Sequence, residues 1–150
     1  MRLVFTTITV FIATAAVALA ASPTAETRTR IAGYRALGAA FKSANDLIRR
    51  RDHTSPKLRE AAATIVSSAK SQYRWYPSSS GPKSGLKTAA KAEIWSNPGE
   101  FRKLQDRFLT QAQAFQAATA SNDPARIRTE VRKLGASCKA CHDRFRNSDD

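Results

Sequence analysis

An all-α fold, an antiparallel four-helix bundle, is predicted by three observations. Four segments carry apolar residues at steps of three and four, the period of an amphipathic helix. Glycine and proline number only six each among 150 residues while alanine is plentiful, which excludes a turn-rich β sandwich, a collagen-like repeat and a disordered chain. The first and third connections are short and the middle one is long, as a bundle with one crossover requires. The length suits one domain.

The chain begins with a targeting segment rather than with the bundle. Met1 and Arg2 precede an uncharged, mostly apolar run from Leu3 to Ala21, and Ala18-Leu19-Ala20 gives a small-x-small site just before Pro23. This pattern reads as a secretory signal peptide over residues 1–20, cut after Ala20, with the bundle over 21–150. The alternative is an uncleaved membrane anchor, which the small residues and Pro23 disfavour. Cleavage removes one charge, that of Arg2, so the formal +13 becomes +12 and the basicity belongs to the folded part.

The first helix is predicted over 24–50, with Ile31, Tyr34, Gly38, Phe41, Asn45 and Ile48 in its stripe and Leu37, Ala44 and Leu47 widening it. Arg49-Arg50-Arg51 closes it where the helix dipole favours cations. Asp52 to Pro56 forms a turn, Ser55 is the predicted cap of the second helix and Pro56 its first residue. That helix carries Leu58, Ala62, Ile65 and Ala69 to about Tyr73. Tyr73 to Pro98 has the turn chemistry of Pro77-Ser78-Ser79-Ser80-Gly81-Pro82, and its aromatics Tyr73, Trp75, Tyr76 and Trp95 argue for a packed crossover, with one or two helical turns between Thr88 and Trp95. Asn97 and Pro98 then start a helix striped by Phe101, Leu104, Phe108, Ala112 and Phe115. After Ser121-Asn122-Asp123-Pro124 the last helix sets Ile127, Val131, Leu134, Cys138, Cys141 and Phe145 in a heptad seam.

The only two cysteines stand in Cys138-Lys139-Ala140-Cys141-His142 on that seam. C-x-x-C-H is the attachment pattern of c-type haem. Thiols three residues apart on a helix project from one face and can add to two vinyl groups of one porphyrin, and the adjacent imidazole can ligate its iron. Other readings of the pair are weaker. A thioredoxin-like switch wants a βαβ setting and a helix N-terminus, and a zinc site wants four ligands in a chain whose only other His is His53.

On these residues the chain resembles class II cytochrome c, the cytochrome c′ family. The resemblance spans the whole mature chain and rests on Arg30-Ile31-Ala32-Gly33-Tyr34 with Gly38 and Phe41, on Lys91 to Pro98, and above all on Leu134 to Arg146. It implies a covalent haem c held by Cys138 and Cys141, His142 as axial ligand of the iron, and Arg146 on the proximal side. It also implies Arg30 beside the haem propionates and Tyr34 over the distal face. The family's low-spin members use a distal methionine, but the one Met here is Met1, and His53 in its charged turn is expected at the surface. A five-coordinate iron open to NO or CO follows.

The expected function is a periplasmic one-electron carrier able to bind small gases, without an enzyme's catalytic residues. No acid and base pair is arranged for catalysis, and no Ser-His-Asp logic remains once His142 is given to iron. The alternatives are a low-spin six-coordinate electron carrier, a gas scavenger or sensor with no redox partner, and a haem-free thiol or basic interaction module. The positive charge lies among Asp and Glu along helices, the pattern of a solvated face that favours encounter with an acidic redox protein. Export argues against nucleic acid, and a membrane is expected to be met only at its surface. Homodimers are common in the family, so a dimer is expected.

Overall fold

The computed structural model describes residues 22–147, so the predicted signal peptide and its cut after Ala20 lie outside the described residues. Five α-helices form: α1 (Pro23–Arg49), α2 (Pro56–Ser71), the short α3 (Glu93–Ser96), α4 (Pro98–Ser121) and α5 (Pro124–Phe145). The four long ones are the predicted bundle helices. No described helix is long and apolar enough to cross a membrane.

Local chemistry sets the helix ends. Ser22 Oγ accepts from the Ala25 amide at 3.2 Å ahead of Pro23, and Asp123 Oδ1 accepts from Ala125 and Arg126 ahead of Pro124. Asn97 and Glu100 cap α4 reciprocally, the Glu100 amide donating to Asn97 Oδ1 and Asn97 Nδ2 donating to Glu100 Oε2. Ser55 occupies the predicted cap position of α2, but its side chain makes no capping hydrogen bond; its backbone carbonyl accepts from Leu58 and Arg59 instead. Arg51 (φ 62°) and Asn122 (φ 54°) take left-handed conformations that turn the chain after α1 and α4.

His53 is the main departure from expectation. It is buried rather than on the surface, with 8% of its area exposed. Its Nδ1 lies 3.0 Å from the Arg51 carbonyl and its Nε2 3.4 Å from Arg128 Nη1. Through these two contacts the ring ties the α1–α2 turn to α5.

The long helices pack α1 on α2, α2 on α4 and α4 on α5, whereas α1 and α5 meet only sparsely. Alanines at 40, 44, 61, 62, 69, 112 and 118 let backbones approach closely, and Leu58, Ile65, Phe115, Ile127 and Leu134 fill what they leave. The crossover packs as predicted through three short 3-10 turns, Gln72–Arg74, Ser78–Ser80 and Pro82–Ser84. Its far end is stitched to the end of α5, where Ala90 pairs antiparallel with Arg146, Lys91 N–H donates to the Phe145 carbonyl at 3.0 Å and Asn147 N–H to Ala89 at 2.8 Å.

Candidate haem-binding site

Where α1 and α5 diverge, the crossover and α4 complete the walls of a cavity of about 570 Å³. Its volume falls within the ~300–1,000 Å³ usual for small-molecule sites. All six residues singled out from the sequence line it: Arg30 and Tyr34 from α1, Cys138, Cys141 and His142 from α5, and Arg146 just beyond. Most of the remaining wall is apolar, including Leu37, Phe41, Ile65, Ile94, Phe101, Phe108, Leu134 and Phe145. His53 is not among its walls.

Cys138 and Cys141 are half-buried free thiols, one helical turn apart on the cavity side of α5. Burial pushes both up to about 11, so neither is a thiolate at neutral pH. A redox-switch cysteine needs the opposite shift. Among the described residues there is no group of three or more His, Cys, Asp or Glu that could hold a metal ion, which disfavours zinc. His142 stands at the rim with much of its surface open. Partial burial first, then the neighbouring Arg146 cation, lower its pKa from the ordinary histidine value, while Asp143 opposes them. The imidazole is therefore neutral at pH 7, the form that ligates a metal. Arg146 continues from α5, its backbone N–H donating to the His142 carbonyl at 2.9 Å.

Arg30 is 3% exposed, an unusual burial for a guanidinium. Its Nη1 donates to the Trp75 carbonyl at 3.3 Å and to Ser80 Oγ at 3.1 Å, and it lies over the rings of Tyr76 and Trp95 at 4.9 and 5.6 Å. Its Nη2 is buried without a partner among the described residues. A guanidinium built into a cavity wall with a donor to spare suits an acidic group on the occupant.

Tyr34 is held by aromatic neighbours. Its ring meets Trp75 edge-on at 4.8 Å, and the indole of Trp75 packs so tightly over Gly33 that a Cβ there would come within 2.2 Å of it. Tyr76 O–H donates to Tyr34 Oη at 3.2 Å, and Tyr34 O–H donates to Gln72 Oε1 at 3.4 Å. Burial, chiefly, raises the Tyr34 pKa well above the ordinary phenol value, and Tyr76 is pushed up to about 12 by the same cause. Tyr34 is a neutral hydroxyl, not a phenolate. Trp95 closes the neighbouring wall, its indole N–H donating to the Pro77 carbonyl at 3.1 Å.

Sequence reasoning passed over Gln72 and Gln105, buried in the cavity wall, and Ser80, buried against Arg30. Gln105 carried a signal, since it interrupts the apolar stripe between Phe101 and Phe108, and so did Gln72, three residues past Ala69 on the stripe of the second helix; Ser80 lies in the irregular segment, where no period marks the inner face.

The dimensions and donors fit a covalently held haem: an apolar slot, two thiols on one helical face, a neutral imidazole beside them, and a buried cation with an unpartnered N–H. Comparison with known proteins points the same way. The family model described as Cytochrome C′ matches residues 25–146. A cytochrome c′ from Rubrivivax gelatinosus is 35% identical over 66 residues, 44% of this chain, and there the match spans about half (51%) of the relative's length. One from Pararhodospirillum photometricum is 29% identical over 126 residues, 84% of this chain and 99% of its own. Among solved structures, a nitric oxide complex of a cytochrome c′ variant from Alcaligenes xylosoxidans superposes with a TM-score of 0.74 at 20% identity, over 85% of this chain and 98% of that one, a likeness of fold. Members of this family bind one covalently attached haem c. The chain belongs to the cytochrome c′ family.

Proposed function

We propose that this chain is an exported haem c protein of the periplasm that carries single electrons and binds small gases such as NO and CO at a five-coordinate iron. One observation carries the reading: both thiols, the imidazole, Arg30, Tyr34 and Arg146 line a single apolar cavity. Cys138 and Cys141 would hold the group covalently, each thiol's sulfur bonding one vinyl carbon and its hydrogen passing to the other, so the bond needs no oxidant. His142 would ligate the iron through a neutral ring nitrogen, with Arg146 beside it. Arg30 takes a propionate on its spare Nη2. Tyr34 covers the opposite face. When bound, the haem would supply a redox-active iron able to take a small ligand.

A six-coordinate site would need a sixth donor from the protein. His53 is engaged with Arg51 and Arg128 in another part of the fold, and the one methionine precedes the predicted cleavage site. The nitric oxide complex of the Alcaligenes xylosoxidans relative supports an iron open to gases here as well. The excess of basic residues favours encounter with an acidic redox protein, and ionic strength should slow that electron transfer. We carry the homodimer forward as the assembly, to be read by sedimentation of the holoprotein.

The deciding experiment is the set of ferric, ferrous and ferrous-CO absorption spectra of protein matured with haem-attachment machinery. A high-spin ferric spectrum with CO uptake is expected. Low-spin spectra in both oxidation states without CO uptake would overturn the open iron.

A further inference from the structure

We propose that Gln72, rather than the Tyr34 hydroxyl, is the hydrogen-bond donor of the distal wall, offering its amide N–H to small ligands whose outer atom accepts a hydrogen bond. The inference rests on the reading above, in which haem occupies this cavity with Tyr34 on its distal side. Gln72 caps the end of α2, lines the cavity and is 4% exposed.

Three contacts define what the amide can do. Its Oε1 accepts from Tyr34 O–H at 3.4 Å. Its backbone carbonyl accepts from Gln105 Nε2 at 3.2 Å, which fixes the residue against α4. Its Nε2 is buried and has no hydrogen-bond partner among the described residues. Exchanging the amide's O and N would deprive the Tyr34 proton of this acceptor, so the chain's own network favours the orientation with the N–H left over. Buried amide donors are nearly always satisfied, and one that is not, in the wall of a ligand cavity, is accounted for by a ligand or water that accepts from it.

Tyr34 is the obvious donor by position, but its hydroxyl is already used on both sides. It accepts from Tyr76 and gives its single proton to Gln72. Burial keeps it a neutral phenol, so it remains a donor to the amide and orients it. Tyr34 is thus a positioning residue, and the Gln72 N–H is the donor left over in a mostly apolar wall. Distal polarity and donor placement decide which diatomic ligands a haem retains.

The probe is carbon monoxide on the ferrous holoprotein, read by the infrared C–O stretch in H2O and D2O. A donor at the outer oxygen draws electron density onto the ligand, weakens the C–O bond and lowers the stretch, and exchange of N–H for N–D shifts it. The wild type should show a D2O-sensitive stretch. Gln72→Leu should raise the frequency, abolish the D2O shift and speed CO loss by up to about five-fold, the weight of one neutral hydrogen bond. Tyr34→Phe should keep the D2O shift, because the Gln72 N–H survives; the wild-type isotope measurement and this variant keep the test decisive if Gln72→Leu misfolds. A D2O-insensitive stretch in the wild type, or sensitivity lost in Tyr34→Phe and kept in Gln72→Leu, would overturn the assignment while leaving the open iron intact. Absence of CO uptake would overturn both.

Discussion

The same four long helices build two unlike regions. Toward the α1–α2 turn the bundle is filled by its own side chains: Ala44, Leu58, Ala62, Ala112, Phe115 and Ile127 are fully buried, and small residues bring the backbones together. Where α1 and α5 part, large aromatics stand around a cavity instead, with Phe101 on Phe145 at 5.1 Å and Tyr76 on Phe101 at 4.8 Å. Two of the buried polar atoms left without partners, Arg30 Nη2 and Gln72 Nε2, belong to residues of the cavity wall. One region is filled by its own side chains, while the other keeps an interior cavity whose size and donors suit a prosthetic group. A buried apolar surface left facing a void forfeits its dispersion contacts, so the second region is the one whose stability depends on loading.

The largest effect should come from removing both thiols. Cys138→Ala with Cys141→Ala is expected to abolish covalent haem and to loosen the aromatic region selectively. Amide hydrogen exchange would read it: protection should collapse across 72–98 and the last turns of α5 but persist around Leu58, Phe115 and Ile127. Uniform protection equal to the holoprotein's would erase the distinction between the two regions.

Phe115→Ala should strike the other half. Phe115 is fully buried, and deleting its ring is expected to cost about 3–5 kcal/mol in chemical unfolding, with the haem spectrum unchanged. Gly33→Ala is smaller and crosses the boundary. A methyl within 2.2 Å of the Trp75 ring forces that indole off Tyr34, at a cost of about 1–3 kcal/mol, and the displaced Tyr34 should alter the CO spectrum. A spectrum identical to the wild type would separate Trp75 from the distal wall.

The subtlest difference is with pH. Tyr34 and Tyr76 both have raised folded-state pKa values, chiefly from burial, with Tyr76 at about 12. Above pH ~10 the unfolded chain releases phenol protons that the folded chain keeps, so stability is full below pH ~10 and declines as pH rises toward ~12. Unfolding midpoints between pH 9 and 12 should fall less steeply in Tyr76→Phe than in the wild type.

The closed region was the easier one to read in advance. Its stripes have a helical period, its caps sit beside proline, and Leu58, Ala112, Phe115 and Ile127 are where that period puts them. The thiols, His142, Arg30, Tyr34 and Arg146 were legible through the motif and the resemblance, and all six face one cavity. What escaped depends on contacts between distant segments. His53 looks like a surface residue among charged neighbours until α5 brings Arg128 to its Nε2. Ser55 has the position of a cap without its hydrogen bond, and Gln72 gains meaning only where Tyr34, Gln105 and the cavity converge.

The backbone stitch between Ala89–Lys91 and Phe145–Asn147 bears on the order of assembly. In chain order the crossover half of the stitch, Ala89–Lys91, precedes α4 and α5, and its second half follows the C-x-x-C-H segment at the end of α5. The crossover therefore lacks its last fastening until the residues just after the attachment motif arrive. Docking of the end of α5 onto Ala89–Lys91 thus fastens the crossover at the same cavity that the two thiols line.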